Sequence, residues 1–121
     1  MSAEEAEQVL RAAIWDDSGA FVQLRLGNDP GAYNIGQLRL ALRVLWRHWK
    51  NQKALPYDIT FNAANILHFG SEARANLRQN AKNVRQGDFD RELADLIQGA
   101  FDLLCGAEAE SWVVTRPDLG E

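Results

Sequence analysis

Apolar residues recur at helical spacing along most of the chain. The longest such run falls on one broad face of a helix predicted at 35–53, and it comprises Ile35, Leu38, Ala41, Leu42, Leu45, Trp46 and Trp49. Leu40 and Val44 lie beyond that face, so we expect this long helix to be central and buried on two sides. At this spacing Trp46 and Trp49 are predicted to be core residues rather than platforms for stacked bases.

Other segments carry the same period and recognisable helix ends. Further helices are predicted at 3–14, 59–69 and 72–86, and a last helix is predicted to be capped by Asp88 and ended by Gly106. Ser2 and Glu5 form a capping box before the first of them, since each side chain can accept a hydrogen bond from the other residue's backbone N–H. Gly70 is predicted to stop the helix at 59–69 in a left-handed conformation.

Residues 16–27 fit two structures. Asp17 or Ser18 could cap a short helix that Gly27 ends. Alternating apolar and polar residues in the same segment also fit a half-buried strand, and 20–26 could then pair with 111–115 as a short β pair. We favour the helix.

These elements predict an all-α fold, a single-domain bundle of about five helices over 1–121 with a partly extended tail at 107–121. The chain has 121 residues, 46% apolar and 25% charged, as an ordinary globular domain does. It has neither an apolar run near 18 residues nor a signal-peptide layout, so we expect a cytoplasmic protein without membrane contact. The single cysteine, Cys105, lies among apolar residues and is predicted to be buried.

Charge is segregated along the chain. Residues 1–30 hold six acids and two bases (−4), residues 31–85 two acids and nine bases (+7), and residues 86–121 nine acids and two bases (−7), which sum to the net charge of −4. A basic middle between acidic ends can be neutralised within the molecule, here by Glu92, Asp95 and Asp102 of the last helix, or can bind a negatively charged partner.

The basic residues form two stripes with the same spacing. The first stripe is Arg39, Arg43, Arg47 and Lys50, and the second is Arg74, Arg78, Lys82 and Arg85. We name as candidate binding residues Arg39, Arg43, Arg47, Lys50, Arg74, Arg78, Gln79, Asn80, Lys82, Asn83 and Arg85. The helices at 59–69 and 72–86, separated by a turn at Gly70, resemble a helix-turn-helix. The resemblance implies that Arg, Asn and Gln of the second helix would contact base edges, because their two-point geometry fits guanine and adenine. A DNA-binding regulator is therefore one hypothesis.

Two further chemistries rest on the histidines. The spacing of Arg43 and His48 resembles the Arg-x4-His motif of HEPN-type ribonucleases, which implies His48 as acid or base and Arg43 on the phosphate. Neither His48 nor His68 has a carboxylate or histidine one turn away on its own predicted helix, so no metal site is expected. No cofactor is predicted.

The hypothesis that demands least is a non-enzymatic accessory or adaptor protein acting through contacts with another protein, or with itself as a homodimer. High tryptophan content, segregated charge and many asparagines suit such a surface. It is preferred over the DNA-binding regulator, and the ribonuclease is the most remote alternative.

Overall fold

The fold was analysed in a computed structural model, which describes residues 1–26, 28–52, 54–80 and 88–105, without the side chains of 76–80 and 88. The described residues form four long helices and one short helix and no strand: α1 (Ala3–Trp15), α2 (Ala20–Arg25), α3 (Ala32–Trp49), α4 (Tyr57–Asn80) and α5 (Asp88–Cys105). The prediction of an all-α bundle is confirmed, but with four long helices where about five were predicted. The predicted tail at 107–121 and the strand at 111–115 lie outside the described residues.

The capping box at the start of α1 is present as predicted. The backbone N–H of Glu5 donates to Oγ of Ser2 at 3.1 Å, and the backbone N–H of Ser2 donates to Oε1 of Glu5 at 3.0 Å. The hydrogen bond from the backbone N–H of Ser2, followed by the contribution of the Ser2 side chain, lowers the pKa of Glu5. The first helix is thus stabilised locally at its N-terminus.

The short segment after α1 is helical, so the alternative strand at 20–26 is wrong. Neither Asp17 nor Ser18 caps α2; its N-cap is Gly19, which makes no side-chain cap hydrogen bond. The helix is favoured over the strand because it places Ala20 and Phe21 together in the core, where both are buried.

The predicted break at Gly70 is wrong, since α4 continues through it to Asn80. Gly70 lies on the same apolar stripe as Ala63, Ile66 and Ala73, and an ideal Cβ on Gly70 would lie 2.8 Å from Cγ1 of Ile97. Glycine is therefore needed here for the close approach of α4 and α5, not for a turn.

Two other boundaries and one burial prediction differ from expectation. Helix α3 starts at Ala32 rather than at residue 35, so Asn34 lies inside it, with its Nδ2 donating to the carbonyl of Pro30 at 2.7 Å. The helix ends at Trp49 rather than residue 53. Cys105 is exposed, because the last turn of α5 turns it away from the core.

The long helices contact one another in the cyclic order α1, α3, α5, α4. Helix α3 therefore has neighbours on two sides, as predicted, while α3 and α4, which follow each other in sequence, lie across the bundle from each other. Buried apolar side chains from all five helices fill the middle, with Leu10, Phe21, Leu45, Ile66 and Leu96 among the most enclosed. Helix α2 packs on α1 and α4.

The close approach at Gly70 can be tested by Gly70→Ala, whose effect on the free energy of unfolding should change sign when Ile97 is truncated. Helix propensity alone would make Gly70→Ala stabilising by about 1 kcal/mol, but the clash with Ile97 costs about 1–3 kcal/mol. We expect a net loss in the free energy of unfolding, measured by urea denaturation. In an Ile97→Ala background, which removes Cγ1 and Cδ1, the same substitution should stabilise the protein.

Gly36 supplies the matched control for this experiment. It also lies inside a long helix, and an ideal Cβ on it would have no heavy atom within 4 Å. Gly36→Ala should stabilise the protein by about 1 kcal/mol in either background. A stabilising Gly70→Ala with Ile97 present would contradict the close approach of α4 and α5.

Candidate functional site

Several side chains of the first basic stripe, on α3, already interact with other groups of the same chain. Arg43 is half-buried with its Nε and Nη1 atoms enclosed, and Arg43 and Arg47 both interact with other groups of the chain. The Nζ of Lys50 lies 4.9 Å from the centre of the Trp46 ring. Arg39 is half-buried. Four cations in one row thus have different environments, and the stripe is not one open cationic surface.

The second stripe is engaged at the one position whose side chain is described. Arg74 binds Asp90 of α5 through two hydrogen bonds, from Nε at 2.9 Å and from Nη2 at 3.1 Å. This pairing raises the pKa of Arg74. Self-neutralisation by α5 therefore occurs at Arg74, although through Asp90 and not through the acids named from sequence. Asp95 and Asp102 are instead buried.

The other candidate residues predicted at 72–86 contribute no described side chain to a site. The backbone of Arg78, Gln79 and Asn80 belongs to α4, and Lys82, Asn83 and Arg85 lie outside the described residues. Because α4 has no turn at Gly70, the described chain lacks the two-helix geometry on which the helix-turn-helix resemblance depends.

The histidines also lie in ordinary surroundings. His48 is exposed with its ring edge-on to Trp49, at 5.0 Å between ring centres, whereas Arg43 faces inward. Since α4 is continuous, His68 does have a carboxylate one turn away, and its Nε2 lies 3.4 Å from Oε1 of Glu72. The sequence prediction missed this pair by ending the helix too early. Among the described residues no group of three or more His, Cys, Asp or Glu could hold a metal ion.

A groove between α1 and the first turns of α4 is a candidate site among the described residues. Its volume is about 580 Å³. It is lined by Glu4, Glu7, Gln8, Leu10, Arg11 and Trp15 from α1 and by Tyr57, Asp58, Ile59, Phe61 and Asn62 from α4. None of these residues belongs to the binding set predicted from sequence.

Three aromatic side chains of the groove, Tyr57, Phe61 and Trp15, form a continuous stack that we call the aromatic ladder. The rings of Tyr57 and Phe61 are 6.0 Å apart and tilted by 19°, and those of Phe61 and Trp15 are 6.1 Å apart and nearly parallel at 5°. All three remain accessible, with 76%, 43% and 58% of Tyr57, Phe61 and Trp15 exposed. The ladder is a large apolar surface that water contacts.

The chain holds the ladder in place by local structure. Tyr57 and Phe61 are one turn apart at the start of α4, so their side chains lie on one face of it. Trp15 is the last residue of α1, and its Nε1 donates to Oδ1 of the buried Asn62 at 3.0 Å. This hydrogen bond joins the two helices and fixes the orientation of the indole ring.

The rim of the groove carries excess negative charge. The groove is lined by three carboxylates, of Glu4, Glu7 and Asp58, and by one guanidinium, of Arg11. The site therefore combines exposed aromatic rings with a local excess of two negative charges, the opposite of the cationic surface expected from sequence. A sequence signal existed: Tyr57 and Phe61 lie off the apolar stripe of their helix, where a large aromatic residue has no core to fill.

Comparisons with known proteins give no match among protein-family models, curated proteins or solved structures. In the part of the chain that the structure describes, no helix is long and apolar enough to cross a membrane.

Proposed function

We propose that the protein is a non-enzymatic accessory or adaptor protein that binds another protein through the groove between α1 and α4. The observation that carries the proposal is the aromatic ladder of Tyr57, Phe61 and Trp15, exposed and contiguous in a groove. Contiguous exposed apolar surface is uncommon on monomeric proteins and marks interaction sites. Tyrosine and tryptophan are also the residues that dominate protein–protein binding energy.

The geometry indicates that a partner can bind the groove in its present shape. Trp15 is held by Asn62, and the three rings support one another, so the surface is ordered before a partner arrives. A preformed anchor loses little side-chain entropy on association. A partner that buries the exposed part of the three rings, 76%, 43% and 58% of Tyr57, Phe61 and Trp15, would gain a central apolar patch of the kind that anchors interfaces.

The basic stripes give less support to the DNA-binding regulator. Arg74 is held by Asp90, and the turn that would separate a recognition helix is absent from α4. We therefore propose the protein-binding function alone.

The proposal is tested by capture with matched variants. Phe61→Ala and Tyr57→Ala remove ladder rings, while Phe101→Ala and Tyr33→Ala remove rings of the same type and almost the same exposure, 45% and 77%, outside the groove. Each immobilised protein is exposed to extract of the source cell, and each captured protein is then purified and its Kd measured. We expect one partner whose Kd rises about tenfold or more for the ladder variants and stays unchanged for the controls.

Two outcomes would overturn this function. One is that no purified partner distinguishes ladder variants from controls. The other is a dimer of this chain, seen by sedimentation at rising concentration, that the ladder variants abolish, because a second copy would then occupy the groove. Circular dichroism and urea denaturation of all four variants check that they remain folded.

A further inference from the structure

The groove offers two kinds of contact side by side. The ladder rings present exposed apolar surface, and the π electrons of each ring carry partial negative charge. Glu4, Glu7 and Asp58 bring full negative charge to the same groove. A purely apolar ligand would leave the carboxylates without a partner, and a small cation would leave the rings exposed to water. The surface therefore matches a ligand that carries both apolar groups and positive charge.

The protein itself shows how cations cover its aromatic rings. The guanidinium carbon of Arg25 lies 4.8 Å from the centre of the Phe69 ring, and Nζ of Lys50 lies 4.9 Å from the centre of the Trp46 ring. Both distances lie within the range of favourable cation–π contact. Among the described residues no cation lies in this way over Tyr57, Phe61 or Trp15.

The spacing of the ladder matches the repeat of an α-helix. Successive ring centres are 6.0 and 6.1 Å apart. Side chains four residues apart on a helix are separated by about 6 Å along its axis, since each residue rises about 1.5 Å. The spacing of neighbouring rings therefore matches the spacing of side chains at i and i+4 on a partner helix.

We infer that the groove takes a basic amphipathic helix of the partner, with Lys or Arg at i, i+4 spacing over the ladder and beside the carboxylates of Glu4, Glu7 and Asp58. This inference rests on the proposed function and adds the chemistry of the partner. The apolar stems of Lys and Arg cover the rings while their charged ends reach the carboxylates. Amphipathic helices that lie in a groove are an established mode of peptide recognition.

The test uses three synthetic peptides of about 18 residues, or five helical turns. They share one leucine pattern and carry Lys, Gln or Glu at every polar position, with a fluorophore for anisotropy. We expect the Lys peptide to bind at least about tenfold more tightly than the Gln peptide, and the Glu peptide to bind least. Added salt should weaken binding of the Lys peptide by screening the carboxylates.

Variants separate the groove from the general acidity of the protein. Phe61→Ala should weaken binding of the Lys peptide about tenfold, and Phe101→Ala should leave its Kd unchanged. The double variant Glu7→Gln, Asp58→Asn should reduce both affinity and salt dependence. Its control, Asp16→Asn with Asp17→Asn, removes the same charge from exposed residues outside the groove lining and should change neither.

The outcomes distinguish this inference from the function on which it rests. Equal affinity for the Lys and Gln peptides, with loss of both in Phe61→Ala, would overturn the cationic chemistry while leaving the groove as a protein-binding surface. Binding of the Lys peptide that all variants share would overturn the inference as non-specific attraction. The capture experiment decides the proposed function independently of the peptides.

Discussion

Gly19→Ala should lower the free energy of unfolding by about 3 kcal/mol or more, a large part of the stability of a domain of this size. An ideal Cβ on Gly19 would lie 2.2 Å from the carbonyl oxygen of Ala12 and 2.8 Å from that of Ala13. The carbonyl of Ala12 accepts a hydrogen bond from the backbone of Asp16 at 3.0 Å, so it cannot move without breaking the end of α1. Urea denaturation and a thermal melt measure the loss.

The effect is one of space, not of backbone conformation. Gly19 has φ −65° and ψ 150°, which any residue adopts. Ser18→Ala, at the exposed neighbouring position, is the control and should change the free energy of unfolding by less than about 0.5 kcal/mol. If Gly19→Ala were as stable as the wild type, the close contact between the α1–α2 turn and the end of α1 would be wrong.

Phe21→Ala should be comparably damaging, with a loss of about 3–5 kcal/mol. Its side chain is 1% exposed, and its ring reaches to within 3.9 Å of an ideal Cβ at Gly70, in the region where α4 meets α5. The ring is the largest fully buried side chain that α2 contributes, so its removal leaves a cavity that six helical residues cannot close. The midpoint in urea is the measured quantity.

Comparison with an exposed apolar residue of the same segment isolates this effect. Leu26→Ala removes a side chain that is 67% exposed and should cost less than about 0.5 kcal/mol. Similar losses for Phe21→Ala and Leu26→Ala would contradict the packing of α2 on the core.

Periodicity predicts the helices well wherever one apolar stripe faces one core. The face of α3 and the start of α1, with its capping box at Ser2 and Glu5, follow from residues within a few positions of each other. Gly70 could not be interpreted in this way, since a helix stop and a close helix–helix contact both favour glycine. The atom that decides between them belongs to Ile97, 27 positions further along the chain.

The candidate site was less predictable than the fold. The sequence predicts binding on the basic stripes, but charge along the chain does not show which cations the protein itself neutralises, as Asp90 does for Arg74. The groove depends on Trp15 meeting Phe61 across two helices, a contact that no local pattern contains. Only the position of Tyr57 and Phe61 away from the apolar stripe pointed toward it.

The cyclic order of the bundle has a consequence for how the chain acquires its structure during synthesis. Because α3 lies opposite α4 and between α1 and α5, the two helices that emerge consecutively do not form a hairpin. One side of α3 and much of α4 stay uncovered until 88–105 has left the ribosome. The interior can therefore close only after α5 has been synthesised, and a nascent chain halted before α5 would present apolar side chains of α3 and α4 to water and to chaperones.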